Sequence, residues 1–253
     1  FHPSDPDVMF AGAPAGGLWR SYDGGESWSC NTDDFPTLGV SAIDFSVSNS
    51  SVVYIGTGDR DASDSPGMGI MKSTDGGESW EFANNGISDY VVGDLLVHPE
   101  NENQVVAATS NGIFKTNDGG QSWDQVSLNT QNYKDIVQHP TDANIIYCTG
   151  SGRFWRSNDA GDSWEYINDG IQPSTRMVIA VTPAAPEYVY VLSTGTYEYR
   201  AFYKSVDSGL NFEEMSDAPN IMGWSANGDG EGGQAWYDLC LEADPVVVDR
   251  VYA

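Results

Sequence analysis

The chain has 253 residues, 40% of them hydrophobic and 12% aromatic, enough to bury a substantial core, and its 28 glycines signal many turns. Against 37 Asp and Glu stand 11 Lys and Arg, a formal net charge of -26 that opposes contact with nucleic acid or anionic lipid. No run reaches the roughly 18 apolar residues needed to cross a bilayer, so neither a nucleic-acid partner nor membrane insertion is expected. The first residues carry no charged-then-apolar leader pattern, but they read as the middle of a fold, and that absence says nothing about export. Cys30, Cys148 and Cys240 form no close pair and no metal-ligand spacing, and are read as buried small hydrophobes.

The organisation along the chain is a repeat. His2-Pro3 opens it as a turn that would follow an innermost strand, and the octet Ser21-Tyr22-Asp23-Gly24-Gly25-Glu26-Ser27-Trp28 comes next. It returns as Ser73 to Trp80 around Asp75, as Thr116 to Trp123 around Asp118, as Ser157 to Trp164 around Asp159, and as Ser205 to Phe212 around Asp207. The period of about 40 to 50 residues is that of a four-stranded propeller blade. Asp followed by glycines between two apolar runs predicts a hairpin turn, because glycine supplies positive φ and the carboxylate accepts amide N–H groups within the turn. The closing Trp28, Trp80, Trp123, Trp164 and Phe212 are expected to be buried between neighbouring sheets.

Ahead of each octet stands a strand ending in a cation, as in Leu18-Trp19-Arg20, Ile70-Met71-Lys72 and Phe154-Trp155-Arg156, and one cation per repeat points to a structural role. Upstream lie β-branched strands such as Val52 to Ile55 and Tyr188 to Val191, preceded by inner strands that run into proline turns at His98-Pro99, His139-Pro140 and Thr182-Pro183. Four strands per repeat follow, lettered A to D from the inside outward.

These octets resemble the Asp-box (BNR) repeats of sialidases, xyloglucanase-type glycoside hydrolases, sortilin-type receptor domains and a photosystem assembly propeller. The wording around Gly232-Gly233-Gln234-Ala235-Trp236-Tyr237-Asp238 is similar to large secreted Bacteroidota proteins with a C-terminal sorting domain, as in type IX secretion. The resemblance implies an all-β fold, a β-propeller of four-stranded antiparallel blades, and an extracellular or cell-surface location. Strand counting gives about five and a half blades in residues 1–253. That is a single propeller fragment starting and ending mid-blade, whose remaining blades come from the same polypeptide, seven in all or more.

Loops A–B and C–D leave a blade on one face and loops B–C and D–A on the other. The proline turns and boxes fall on the first face, and all length variation falls on the second, where function on a repeat scaffold concentrates. The long Pro219 to Gln234 segment and its flank supply the candidate ligand-binding residues Trp224, Asp229, Glu231, Trp236 and Tyr237. The loop holding Asp59, Asp61 and Asp64 lacks a full calcium-loop pattern. Calcium there is the one cofactor the sequence leaves open.

Aligning the inner strands on their turns places Asp44, Asp94 and Asp135 at one equivalent position around the channel mouth, with Val178 and Cys240 at the matching later positions and Asp238 displaced by two. Paired carboxylates could serve as acid and base of a glycoside hydrolase. The simpler account is that each Asp bonds backbone as part of the repeat. Arg20 and Arg156 occupy the structural cation slot rather than a sialidase arginine cluster, and the three histidines share the proline-turn position. The leading reading is therefore a non-catalytic binding or adhesion propeller for a glycan or protein. A xyloglucanase-like hydrolase fragment and an architectural spacer in a giant surface protein are the alternatives.

Overall fold

The computed structural model describes residues 1–37, 39–62, 64–237 and 239–253. Among the described residues there is no helix, and every sheet is an antiparallel meander of consecutive strands. Two compact units, Phe1–Lys134 and Asp135–Ala253, divide the chain.

In the first unit a three-stranded sheet is formed by β1 (Met9–Ala13), β2 (Gly17–Ser21) and β3 (Ser29–Cys30). The second sheet comprises β4 (Val40–Phe45), β5 (Val53–Thr57), β6 (Ile70–Ser73) and β7 (Glu81–Phe82). The third comprises β8 (Val92–His98), β9 (Asn101–Thr109), β10 (Gly112–Thr116) and β11 (Asp124–Gln125). All five residues of β5 are buried, which is why Val53 to Ile55 reads as an unbroken apolar run instead of an alternating one. Apolar side chains from consecutive sheets interdigitate: Leu18, Val40, Ile55 and Met71 form one cluster, and Tyr54, Ile70, Val92, Val105, Phe114 and Trp123 belong to another.

The second unit repeats the plan. Its first sheet is β12 (Tyr133–Gln138), β13 (Ile146–Gly150), β14 (Arg153–Ser157) and β15 (Glu165–Ile167). The next is β16 (Arg176–Val181), β17 (Val189–Thr194), β18 (Tyr199–Ser205) and β19 (Glu213–Ser216), followed by the pair β20 (Glu242–Ala243) and β21 (Val251–Tyr252). Tyr147, Phe154, Ile179, Val191, Tyr203 and Phe212 fill the space between its first two sheets.

The boxes are one turn built five times. In the second, Ser73 Oγ donates to Asp75 Oδ1 at 2.7 Å and accepts from Gly77 N at 2.8 Å. Asp75 in turn accepts from Ser79 N at 2.9 Å and Ser79 Oγ at 2.6 Å. The Ser79 hydroxyl, then its amide, hold the Asp75 carboxyl down at about 2, and Ser27 and Ser122 do the same for Asp23 and Asp118. Both glycines of this box have positive φ, 73° and 89°, and the same backbone persists where the first glycine is replaced, at Ala160 (54°) and Ser208 (58°).

Burial of the closing aromatic is uneven. Trp123, Trp164 and Phe212 are buried and Trp80 is half-buried, but Trp28 is 41% exposed, contrary to the expectation that all would be core. Trp123 and Trp28 are anchored differently: Trp123 Nε1 donates to Ala83 O at 2.7 Å, at the end of the preceding sheet, whereas Trp28 Nε1 donates to Gly25 O at 3.0 Å within its own turn. The cysteines also differ from expectation: all three are free, but only Cys148 is buried, Cys30 is half-buried, and Cys240 is exposed.

Candidate functional site

Two of the inner-strand aspartates bond backbone on the strand beside them. Asp44 Oδ2 accepts from Val97 N at 2.7 Å within the first unit, and Asp135 Oδ2 accepts from Ile179 N at 2.7 Å within the second. Asp94 Oδ1 accepts from the adjacent Leu95 N at 2.9 Å.

Their expected equivalence needs correcting. Phe45 pairs with Val53 and Val97 with Val105, so Asp44 matches Leu96, two residues beyond Asp94 on the same strand face. Asp135 does match Asp94, since His139 N bonds Ile145 O as Ser46 N bonds Val52 O. Asp44 keeps part of its surface open to solvent, yet desolvation outweighs the amides of Val97 and Phe45 and pushes its carboxyl up to about 7. Asp238 lies outside the described residues.

The loop from Gly58 to Gly69 is organised around Asp59. Its carboxylate accepts from the amides of Asp61 at 2.9 Å, Ala62 at 3.1 Å and Asp64 at 3.2 Å. Burial opposes the anion, but these amides together hold the pKa below the usual range. Asp61 is engaged by Lys134 Nζ at 2.9 Å, while Arg60 Nη1 donates to Gly93 O and Lys134 O. The loop borders a pocket of about 210 Å³ that Ser41, Arg60 and Asp61 help to line. Among the described residues no group of three or more His, Cys, Asp or Glu side chains is arranged to hold a metal ion.

The histidines serve their turns: Nδ1 of His2, of His98 and of His139 each accepts from an amide two or three residues on. Cations of the predicted structural slot reach the next box, Arg20 Nη1 bonding Gly77 O at 2.6 Å and Arg156 Nε bonding Ser208 O at 2.8 Å.

In the second unit the long segment is tied together by Asn220, which the sequence reading passed over. Its Oδ1 accepts from Tyr199 N at 2.8 Å and its Nδ2 donates to Gly230 O at 3.2 Å and Gly232 O at 3.4 Å. Ser225 Oγ donates to Asp229 Oδ1 at 2.5 Å. On this framework Trp224 is 70% exposed, and Glu231, further along the same segment, is exposed too. Trp236 and Tyr237 form a separate half-buried pair with ring centroids 4.2 Å apart. That pair is anchored where Arg176 Nη1 bonds Trp236 O at 2.7 Å and Thr194 Oγ1 bonds the carbonyl of buried Ala235 at 3.1 Å.

Gly233 joins this segment to the β17–β18 loop: a Cβ there would lie 2.0 Å from Met222 O and 2.4 Å from Tyr197 O. Tyr197, 57% exposed, is a second open aromatic that the sequence did not single out. Its signal was an aromatic in a short turn with Gly195 and Glu198.

Fold and repeats define the class: an all-β propeller assembled from four-stranded antiparallel blades, with sheets at either end of the chain holding fewer strands. Residues 68–153 match the Sortilin-Vps10 family, described as sortilin, neurotensin receptor 3. No curated protein matches the chain in sequence. Among solved structures it is similar to an ancestral GH74 enzyme, with TM-score 0.71 and 21% identity over 96% of this chain and 32% of that one. The GH74 xyloglucanase of Xanthomonas campestris gives TM-score 0.65 and 18% identity over 96% of this chain and 39% of that one. YCF48 bound to D1 peptide gives TM-score 0.56 and 13% identity over 83% of this chain and 79% of that one. The chain therefore resembles BNR and Vps10-type propellers, spanning well under half of either GH74 protein.

Proposed function

We propose that the chain is a non-catalytic recognition module, secreted or displayed at the cell surface, that presents its variable loops to a glycan or protein. The observation that carries this reading is Trp224, an indole 70% exposed on a loop whose backbone is tied down by Asn220. An indole held open on a tied-down loop offers a ligand a broad, flat apolar face at little ordering cost. The test is binding of the protein to immobilised glycans and peptides, wild type against Trp224→Ala. Equal binding by both would remove this indole from the site.

The hydrolase reading rests on likeness to GH74 enzymes, one of them a xyloglucanase. It requires a carboxylate pair free to exchange protons with substrate, whereas Asp44 and Asp135 already accept backbone N–H groups. Glycan turnover by the wild type that is abolished in Asp94→Asn would establish the hydrolase and displace the recognition module.

A further inference from the structure

We infer that the surface formed by Tyr197 and Trp224 docks a basic, Lys- or Arg-bearing peptide segment. The inference rests on the recognition reading above and names its ligand. The two residues come from different loops, and those loops meet at the adjacent glycines Gly232 and Gly233. A Cβ on Gly232 would lie 3.4 Å from Trp224 Nε1, and one on Gly233 would lie 2.4 Å from Tyr197 O. Both rings are more than half exposed.

The charge around them selects the partner. The stretches Gly195–Glu198 and Asp217–Gln234 carry four carboxylates, Glu198, Asp217, Asp229 and Glu231, and no Lys, Arg or His. Glu198, Asp229 and Glu231 are exposed, and none of the ion pairs among the described residues involves them. An anionic ligand would be repelled here. A neutral sugar could stack on the rings and donate hydroxyls to the carboxylates, but it would leave their negative charge unpaired. A cationic side chain uses both features: the ring face attracts it and the carboxylates pair with it. The chain's net charge of -26 adds long-range attraction for the same kind of partner.

The experiment titrates the protein with three probes. These are an acetylated, amidated peptide alternating Lys or Arg with Gly, its Glu-Gly counterpart, and cellohexaose. The basic peptide is expected to bind and the acidic one not to bind. Trp224→Ala should weaken the basic peptide about tenfold, and Glu198→Gln with Glu231→Gln about three- to tenfold. Raising salt from about 50 mM to about 500 mM should weaken binding, yet leave the Trp224 dependence in place. All three positions are exposed, so these changes leave the fold intact.

Salt-sensitive peptide binding that ignores Trp224→Ala would overturn the inference, because it would mean diffuse attraction to an acidic protein. Cellohexaose binding through Trp224 without peptide binding would overturn the inference while leaving the recognition module standing. Failure of every probe would overturn the inference and withdraw the support that Trp224 lends to the recognition reading.

Discussion

Replacing Trp123 by Ala tests whether the box is a packing device. The indole is 6% exposed, sits in the cluster with Tyr54, Ile70 and Val105, and donates to Ala83 O. A Trp side chain buries about 200 Å², which at about 25 cal/mol per Å² corresponds to about 5 kcal/mol for an extended reference chain, less in a realistic one. The carbonyl of Ala83 also loses its donor, at about 1 kcal/mol or more. Allowing for partial collapse of the cavity, Trp123→Ala is expected to cost about 4 kcal/mol. Trp28, 41% exposed and bonded only within its turn, should cost about 1 to 2 kcal/mol when truncated. Urea unfolding followed by far-ultraviolet circular dichroism measures both. If Trp123→Ala falls within about 1 kcal/mol of wild type, or the two variants cost the same, the argument from burial fails.

Two further outcomes are expected. Asp44, whose carboxyl is raised to about 7 by burial, favours the folded state most while protonated, so its contribution is present below the unfolded pKa near 4 and is lost as pH rises through 7. Asp44→Asn keeps an oxygen for Val97 N and should flatten the fall in stability over that window, measured by urea midpoints at several pH values; an unchanged slope would refute it. Ala160 holds a φ of 54° that an L-residue adopts at a cost of about 1 to 2 kcal/mol, so Ala160→Gly should stabilise by about 0.5 kcal/mol after the added chain entropy, read as a higher melting temperature.

The repeated turns were legible because each box residue has one local task, and Asp75, Ser73 and Ser79 perform it without reference to the rest of the chain. The interior of the central strands was equally plain, since a sheet flanked on both faces leaves no polar alternation to misread. Register was harder. The β4 strand runs into Ser46-Val47, with no proline to mark the turn, and a shift of two residues keeps every side chain on the same face, so the pattern of apolar positions could not reveal the error at Asp44. The irregular segment was legible only as a place. Asn220 and Tyr197 acquire their roles from contacts with Tyr199 N, Gly230 O and Gly233, which no local periodicity encodes.

Beside side-chain pairs such as Lys204 with Asp249, many of the bonds between adjacent sheets join a side chain on one side to main chain on the other. Arg20 reaches Gly77 O, Tyr54 reaches Glu102 O, Trp123 reaches Ala83 O, and Asp44 and Asp135 receive the amides of Val97 and Ile179. Because every residue except proline offers the same amide and carbonyl, only one partner of such a joint is under sequence constraint. At such a joint the residue on the main-chain side can change without a compensating change in its neighbour. Joints of this one-sided kind let blade sequences diverge widely while the stacking between them is kept.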